Sequence, residues 1–172
     1  MDLPMGSFRY INFKSKHSYK VDIKANNMLT ELEVDDGFEK ESIPHNKVKR
    51  LLVYGDIAAG QEININTTMD EEFPLPKRWF KSCYDNFVLQ VEGDSMLNAD
   101  IEDGDYVVVR QQDTASSGQI VAAIIEDGVT LKRFKKKEGD IYLLPENEDY
   151  QQIKLEEDIR ILGVAVGLIK NI

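Results

Sequence analysis

The chain has 172 residues, 42% of them hydrophobic, with 31 Asp and Glu against 21 Lys and Arg and a formal charge of −10. That length buries a sizeable core, so one domain plus an arm or small extra unit is expected, while the acidic balance opposes nucleic-acid binding by the chain as a whole, because phosphate contacts need Lys and Arg to displace counterions. The single cysteine, Cys83, excludes an internal disulfide, no Cys, His, Asp or Glu cluster has metal-ligand spacing, and neither a signal-peptide core nor the roughly 20 apolar residues of a membrane span is present.

No metal and no cofactor are therefore expected, no membrane contact either, and the cytoplasm is the expected compartment. Charge is unevenly placed: residues 1–50 carry nine Lys or Arg against eight Asp or Glu, and the remainder twelve against twenty-three. A near-neutral arm on an acidic domain permits DNA contact without arguing for it.

In chain order, Phe8 to Phe13 reads as a strand, and Tyr19-Lys20-Val21-Asp22-Ile23 alternates like a half-buried one, with a turn at Asn26-Asn27. Met28 to Val34 is ambiguous, since Leu32 and Val34 fit a strand whereas Leu29 and Leu32 fit a helical turn. Asp35 to Arg50 is mostly polar, is broken by Pro44 and reads as a linker. No helix-turn-helix is visible. The division is thus an N-terminal segment and linker, 1–50, and a regular domain, 51–172.

From Leu51 the pattern sharpens. Leu51-Leu52-Val53-Tyr54-Gly55 is a short strand, and Ile57-Ala58-Ala59-Gly60 offers small side chains. Phe73-Pro74-Leu75-Pro76 is a rigid extended segment before the bulky anchors Trp79 and Phe80. Phe87, Leu89 and Val91 recur at the two-residue period of a strand, and Gly93 lets the backbone turn so that Ser95 stands at a strand end. Asp103-Gly104-Asp105 is a turn, and Tyr106-Val107-Val108-Val109 a buried strand. Ile120 to Ile125 and Val129 to Phe134 form a hairpin joined at Glu126-Asp127-Gly128. Ile141 to Leu144 and Ile159 to Ile169 complete a mainly β domain.

A serine hydroxyl needs a base to take its proton. Neither His17 nor His45 lies in the densely patterned part of the chain, which leaves Lys132 as the better candidate. It must then be neutral although free lysine titrates near roughly 10.4, and burial is the available lever. On a strand Lys132 shares a face with Thr130 and Phe134 while Leu131 faces the other way. Asp94, beside the serine, points away by the same alternation and takes a structural role; Ser116 and Ser117 read as loop residues.

Ala59-Gly60, Gly93-Asp94-Ser95-Met96 and Leu131-Lys132-Arg133-Phe134, in that order and spacing, resemble the LexA and UmuD family of self-cleaving serine peptidases, which use a Ser-Lys dyad to cut their own chain. The likeness runs from about Leu51 to the C-terminus and takes in Asp103-Gly104-Asp105, Leu144-Pro145-Glu146-Asn147 and Arg160-Ile161-Leu162-Gly163. It implies a LexA C-terminal-like β domain, Ser95 as nucleophile, Lys132 as general base, and Ala59-Gly60 as the bond cut. The backbone N–H groups of Asp94 and Ser95 become candidate oxyanion donors. It also implies a RecA filament as trigger and a homodimer through the last strand, Ile161 to Ile169.

Three readings stay open. The first is a LexA-like regulator of the DNA-damage (SOS) response that self-cleavage inactivates. The second is a UmuD-like polymerase accessory protein that the same cut activates. The third is a non-cleaving dimerisation module. The long stretch before Gly60 favours the regulator.

Overall fold

A computed structural model describes residues 6–26, 29–54, 68–125 and 128–171. Its strands are β1 (Ser7–Asn12), β2 (Ser18–Asn26), β3 (Leu29–Asp35), β4 (Lys40–Ile43), β5 (Val48–Tyr54), β6 (Thr68–Pro76), β7 (Asn86–Gln90), β8 (Tyr106–Gln111), β9 (Ile120–Ile125), β10 (Gly128–Lys137), β11 (Asp140–Leu144), β12 (Ile153–Lys154) and β13 (Arg160–Asn171). The fold is mainly β. Among the described residues the helical pieces are single 3₁₀ turns at His45–Lys47, Lys77–Trp79 and Leu97–Ala99, with no α-helix.

All thirteen strands join one sheet, and β13 is its hub. β8 pairs along Gly163–Ile169 of β13, while β9 pairs with Arg160–Val164 and β1 with Gly167–Asn171. Residues shared between those ranges cannot pair two strands on one edge, so β8 takes one edge and β9 followed by β1 takes the other. Phe13 N–H closes the gap between β9 and β1 by donating to Val166 O at 3.1 Å. From there β10, β11 and β12 extend one way, β2, β3 and β4 the other, and β7, β5 and β6 lie beyond β8.

The near-continuous apolar runs follow from burial on both faces. In β8, Val107 and Val109 enter a core with Phe87, Leu89, Ile120, Leu131 and Leu168; Val108 enters a second core with Val88, Phe8, Val21, Phe73 and Ile169. A third, under β9 to β11, holds Val121, Ala123, Phe134 and Leu143. Trp79, expected as an anchor, stacks on Tyr10 at 4.8 Å and lies 4.7 Å from Tyr19.

The ambiguous stretch at Met28–Val34 is a strand in its described part. Thr30, Leu32 and Val34 are buried in alternation, and Val34 pairs with Val21 and Leu32 with Ile23. The linker expected at Asp35–Arg50 is a correction: it carries β4 and the start of β5, so residue 50 lies inside a strand. Few apolar residues are needed there, because β3 already supplies the pairing edge. Ile43 pairs with Leu32 and is 2% exposed, and Pro44 sits harmlessly at the entry to the 3₁₀ turn.

That correction has a measurable consequence. Ile43→Ala is expected to cost about 2 kcal/mol or more, the usual range for truncating a buried isoleucine. Urea denaturation checks it, since truncation within a solvated linker leaves the midpoint unchanged.

Candidate functional site: Ser95 and Lys132

β7 ends at Gln90, and the chain turns at Gly93, whose φ of +83° is costly for a residue with a Cβ. The Asp103-Gly104-Asp105 turn braces this exit. Val91 N–H donates to Asp105 O at 2.8 Å, Gly104 N–H to Val91 O at 2.9 Å, and Gly93 N–H to Asp103 Oδ1 at 2.7 Å. Lys170 of β13 in turn holds Asp105 at 2.5 Å. Ser95 is thereby set, half-buried, in a groove lined by Leu89 to Gly93, Met96, and Val129 to Leu131.

Lys132 comes from β10 on the far side of β13 and is 5% exposed. Its Nζ lies 3.0 Å from Ser95 Oγ, 2.7 Å from Thr130 Oγ1 and 3.1 Å from Leu131 O. Among the described residues no carboxylate is within ion-pair distance of it. Burial without a counter-charge disfavours the ammonium, and the Lys132 pKa is accordingly lowered by desolvation. A neutral amine has two N–H donors and one lone pair. Donation to Thr130 and Leu131 leaves the lone pair for the Ser95 hydroxyl proton, so the arrangement can deprotonate a serine without histidine or metal.

Lys135, Lys136 and Lys137 are exposed. Asp94 turns from the serine and accepts from Tyr150 OH at 2.6 Å, which raises the Tyr150 pKa. The N–H groups of Asp94 and Ser95 donate to no backbone or side-chain acceptor among the described residues. Ser117 Oγ accepts from Lys136 N–H at 2.8 Å on the surface, apart from the groove, and Cys83 is exposed.

Sequence reading assigned no role to Thr130, although its spacing of two from Lys132 places both on one strand face. Glu146, Asn147 and Tyr150 were likewise passed over as separate contributors. Glu146 N–H donates to Ser95 O at 2.8 Å and Asn147 Nδ2 to Asp94 O at 2.8 Å. The only sequence signal for these was the Leu144-Pro145-Glu146-Asn147 stretch.

Ala59 and Gly60 lie outside the described residues. The strands flanking their segment are described, however. Tyr54 pairs with Thr68 across the β5–β6 hairpin, and β5 runs parallel to β7 with Tyr54 beside Leu89. The strand ends at Tyr54 and Thr68 therefore lie at the end of the sheet where β7 delivers Ser95.

Known proteins with similar sequences carry the same stretch of chain. The LexA repressor of Bacillus licheniformis is 40% identical over 142 residues, covering 82% of this chain and 68% of the relative. That of Petrotoga mobilis is 43% identical over 121 residues, 69% of this chain and 59% of the relative, and that of Bacillus subtilis 40% over 135 residues, 78% and 65%. This chain thus spans roughly three-fifths to two-thirds of their length. Peptidase S24-like sequences match residues 52–166, from β5 to within β13, which takes in Ser95, Lys132 and the turn bracing them, and by that match the chain belongs to the Peptidase S24-like family.

Proposed function

We propose that this protein is a LexA-like regulator of the DNA-damage (SOS) response that switches itself off by cutting the Ala59-Gly60 bond. Neutral Lys132 takes the Ser95 proton, and Ser95 Oγ attacks the Ala59 carbonyl carbon. The tetrahedral oxyanion is held by the N–H groups of Asp94 and Ser95, the Gly60 amine leaves with the proton, and water hydrolyses the acyl-serine at Ala59. One observation carries the reading: a lysine 5% exposed, without a carboxylate partner among the described residues, stands 3.0 Å from a serine hydroxyl.

The family match and the repressor relatives support it. So does the position of Tyr54, the strand end before Ala59-Gly60, beside Leu89 of the groove, since a tethered substrate gains a high effective concentration. A RecA filament on single-stranded DNA is the proposed trigger. A homodimer through Ile161 to Ile169 is proposed too; both main-chain edges of β13 are used within the chain and Val166 alone of those residues is not buried, so the strand would meet a partner through Val166 rather than by sheet extension.

The absence of an α-helix among the described residues favours carrying a second reading, a polymerase accessory protein activated by the same cut. Gel shift on damage-response promoters against polymerase pull-down separates the two.

The test is self-cleavage of the purified chain, with and without activated RecA, read by intact mass. Fragments ending at Ala59 and beginning at Gly60 are expected, with faster appearance when RecA is present. A folded chain uncut under every condition would overturn the reading and leave a dimerisation module.

The pH profile follows from the lowered pKa of Lys132. Only the neutral amine is active, so the rate rises about tenfold per pH unit below that pKa and levels off above it. The plateau is expected before the roughly 10.4 of a free lysine. A rate still climbing through that value would show an exposed, unperturbed lysine.

A further inference from the structure

Glu146 and Asn147 hydrogen-bond to neither Ser95 Oγ nor Lys132 Nζ, yet they tie together the two segments that carry those atoms. Glu146 N–H donates to Ser95 O at 2.8 Å, and Asn98 N–H donates to Glu146 O at 2.7 Å, so the main chain at Glu146 holds the Ser95 loop at two points. The Glu146 carboxylate accepts from Arg133 Nε at 2.8 Å, and Arg133 is anchored again by donating to Gly118 O at 2.8 Å. Arg133 is the covalent neighbour of Lys132 on β10. The contacts close a circuit: Lys132 to Ser95, Ser95 to Glu146, Glu146 to Arg133, and Arg133 back to Lys132 through one peptide bond.

Asn147 acts on the adjoining peptide. Its Nδ2 donates to Asp94 O at 2.8 Å. In a trans peptide the carbonyl of Asp94 and the N–H of Ser95 point in opposite directions. Holding the carbonyl therefore fixes where the Ser95 N–H points, and among the described residues that N–H meets no acceptor. Tyr150 OH, on Asp94 Oδ1 at 2.6 Å, steadies the same residue from its side chain.

We propose that Glu146 and Asn147 are positioning residues for the self-cleavage reaction. Glu146, anchored by Arg133, sets the separation of Ser95 Oγ from Lys132 Nζ, and Asn147 aims the Ser95 N–H at the developing oxyanion. The assignment rests on the Ser95–Lys132 reading above. It differs from a general packing role because the Arg133–Glu146 pair is about 30% exposed on both sides. A half-exposed pair of this kind contributes little to stability.

The test is the full pH–rate profile of self-cleavage, with thermal melting, for wild type, Glu146→Ala, Glu146→Gln and Asn147→Ala. The two alanine variants are expected to lose about 10- to 100-fold in plateau rate, as misplacement of reacting groups by a fraction of an ångström to 1 Å does. Their pH midpoint stays that of wild type, because the burial of Lys132 is untouched, and their melting temperatures stay close to it. Glu146→Gln keeps an oxygen acceptor for Arg133 and retains the rate to within about threefold.

Wild-type plateau rates in both alanine variants would overturn the assignment while leaving the dyad intact. A midpoint that moves while the plateau does not would make the effect electrostatic, and a melting temperature lowered enough to explain the lost rate would make it structural; either overturns it. Glu146→Gln as slow as Glu146→Ala would do the same. A wild-type chain that does not cut removes the reaction these residues are said to serve, and that outcome is read from the wild-type arm alone.

Discussion

Lys132→Met is expected to lower self-cleavage by about 10³-fold or more and, at the same time, to remove a pH-dependent weakness from the fold. Methionine reaches as far as lysine but has no nitrogen to take the Ser95 proton. The rate loss should match that of Ser95→Ala, because either change dismantles the same proton transfer, and the double variant should be no slower than the singles. Stability follows from linkage. The folded-state pKa of Lys132 lies below its unfolded value because the side chain is buried. Between those two values the unfolded chain binds more protons, so wild-type stability rises with pH across that window. Below the folded value the full penalty of burying the amine is present; above the unfolded value it is gone.

Lys132→Met also loses the donors to Thr130 and Leu131 O, so the diagnostic is the slope rather than the absolute stability. The difference in melting temperature, variant minus wild type, should shrink as pH is raised from 7 towards 10, whereas Ser95→Ala should track wild type. A difference independent of pH would mean that Lys132 titrates alike in both states.

The second large effect is on stability alone. Gly167→Ala is expected to cost about 3 kcal/mol, the upper range for forcing atoms into a packed interior. A Cβ built there falls on Cε2, Cζ and the hydroxyl of Tyr10, too close for any real contact. Tyr10 cannot yield: it is 1% exposed and held by its stack on Trp79. The pair sits where β1 meets β13, Asn12 opposite Gly167, and beside a break in the β8–β13 register between Ala165 and Gly167. Urea midpoints check the cost. In a Tyr10→Leu background, which removes the clashing atoms, the same substitution should cost at most half as much, a coupling expected only of groups in contact. Equal costs in the two backgrounds would place the strain elsewhere.

How much of this was legible in the sequence depended on what each residue reported. β8 announces itself because Tyr106-Val107-Val108-Val109 is branched on both faces, and the two cores explain why both must be apolar. The β9–β10 pairing is legible from two apolar runs separated by Glu126-Asp127-Gly128, of which Glu126 and Asp127 lie outside the described residues. β4 and β12 were missed, having four and two residues. Ile43 is the only buried side chain in β4, too little to establish a period, and β4 exists because β3 offers it an edge. Met28–Val34 stayed ambiguous because the Leu29–Leu32 spacing suits a helix; pairing with the preceding strand β2, which single-residue spacing does not report, decides it.

At the site, the order of short motifs brought Ser95 and Lys132 to notice, and the structure places them in contact. Whether Lys132 is dry was not readable. Alternation separates the faces of β10 but does not say which is buried, and here both are, with Leu131 in the first core and Phe134 in the third. The bond proposed for cleavage, Ala59-Gly60, rests on sequence, with only the strand ends at Tyr54 and Thr68 to place it.

The position of β13 in the sheet bears on when the site can exist at all. Ser95 follows β7, which reaches β13 through β8; Lys132 lies on β10, which reaches β13 through β9. The two halves of the site are thus joined through a strand that is made after both of them. A nascent chain that has emitted Ser95 and Lys132 still lacks the strip that joins β7 and β10 in one sheet. Pairings as distant as Phe8 with Asn171 also form slowly, because a long loop must close before they are rewarded. For the proposed self-cleavage, synthesis therefore carries its own safety interval: the Ser95–Lys132 pair stays unassembled on the ribosome until residues 160–171 emerge and dock.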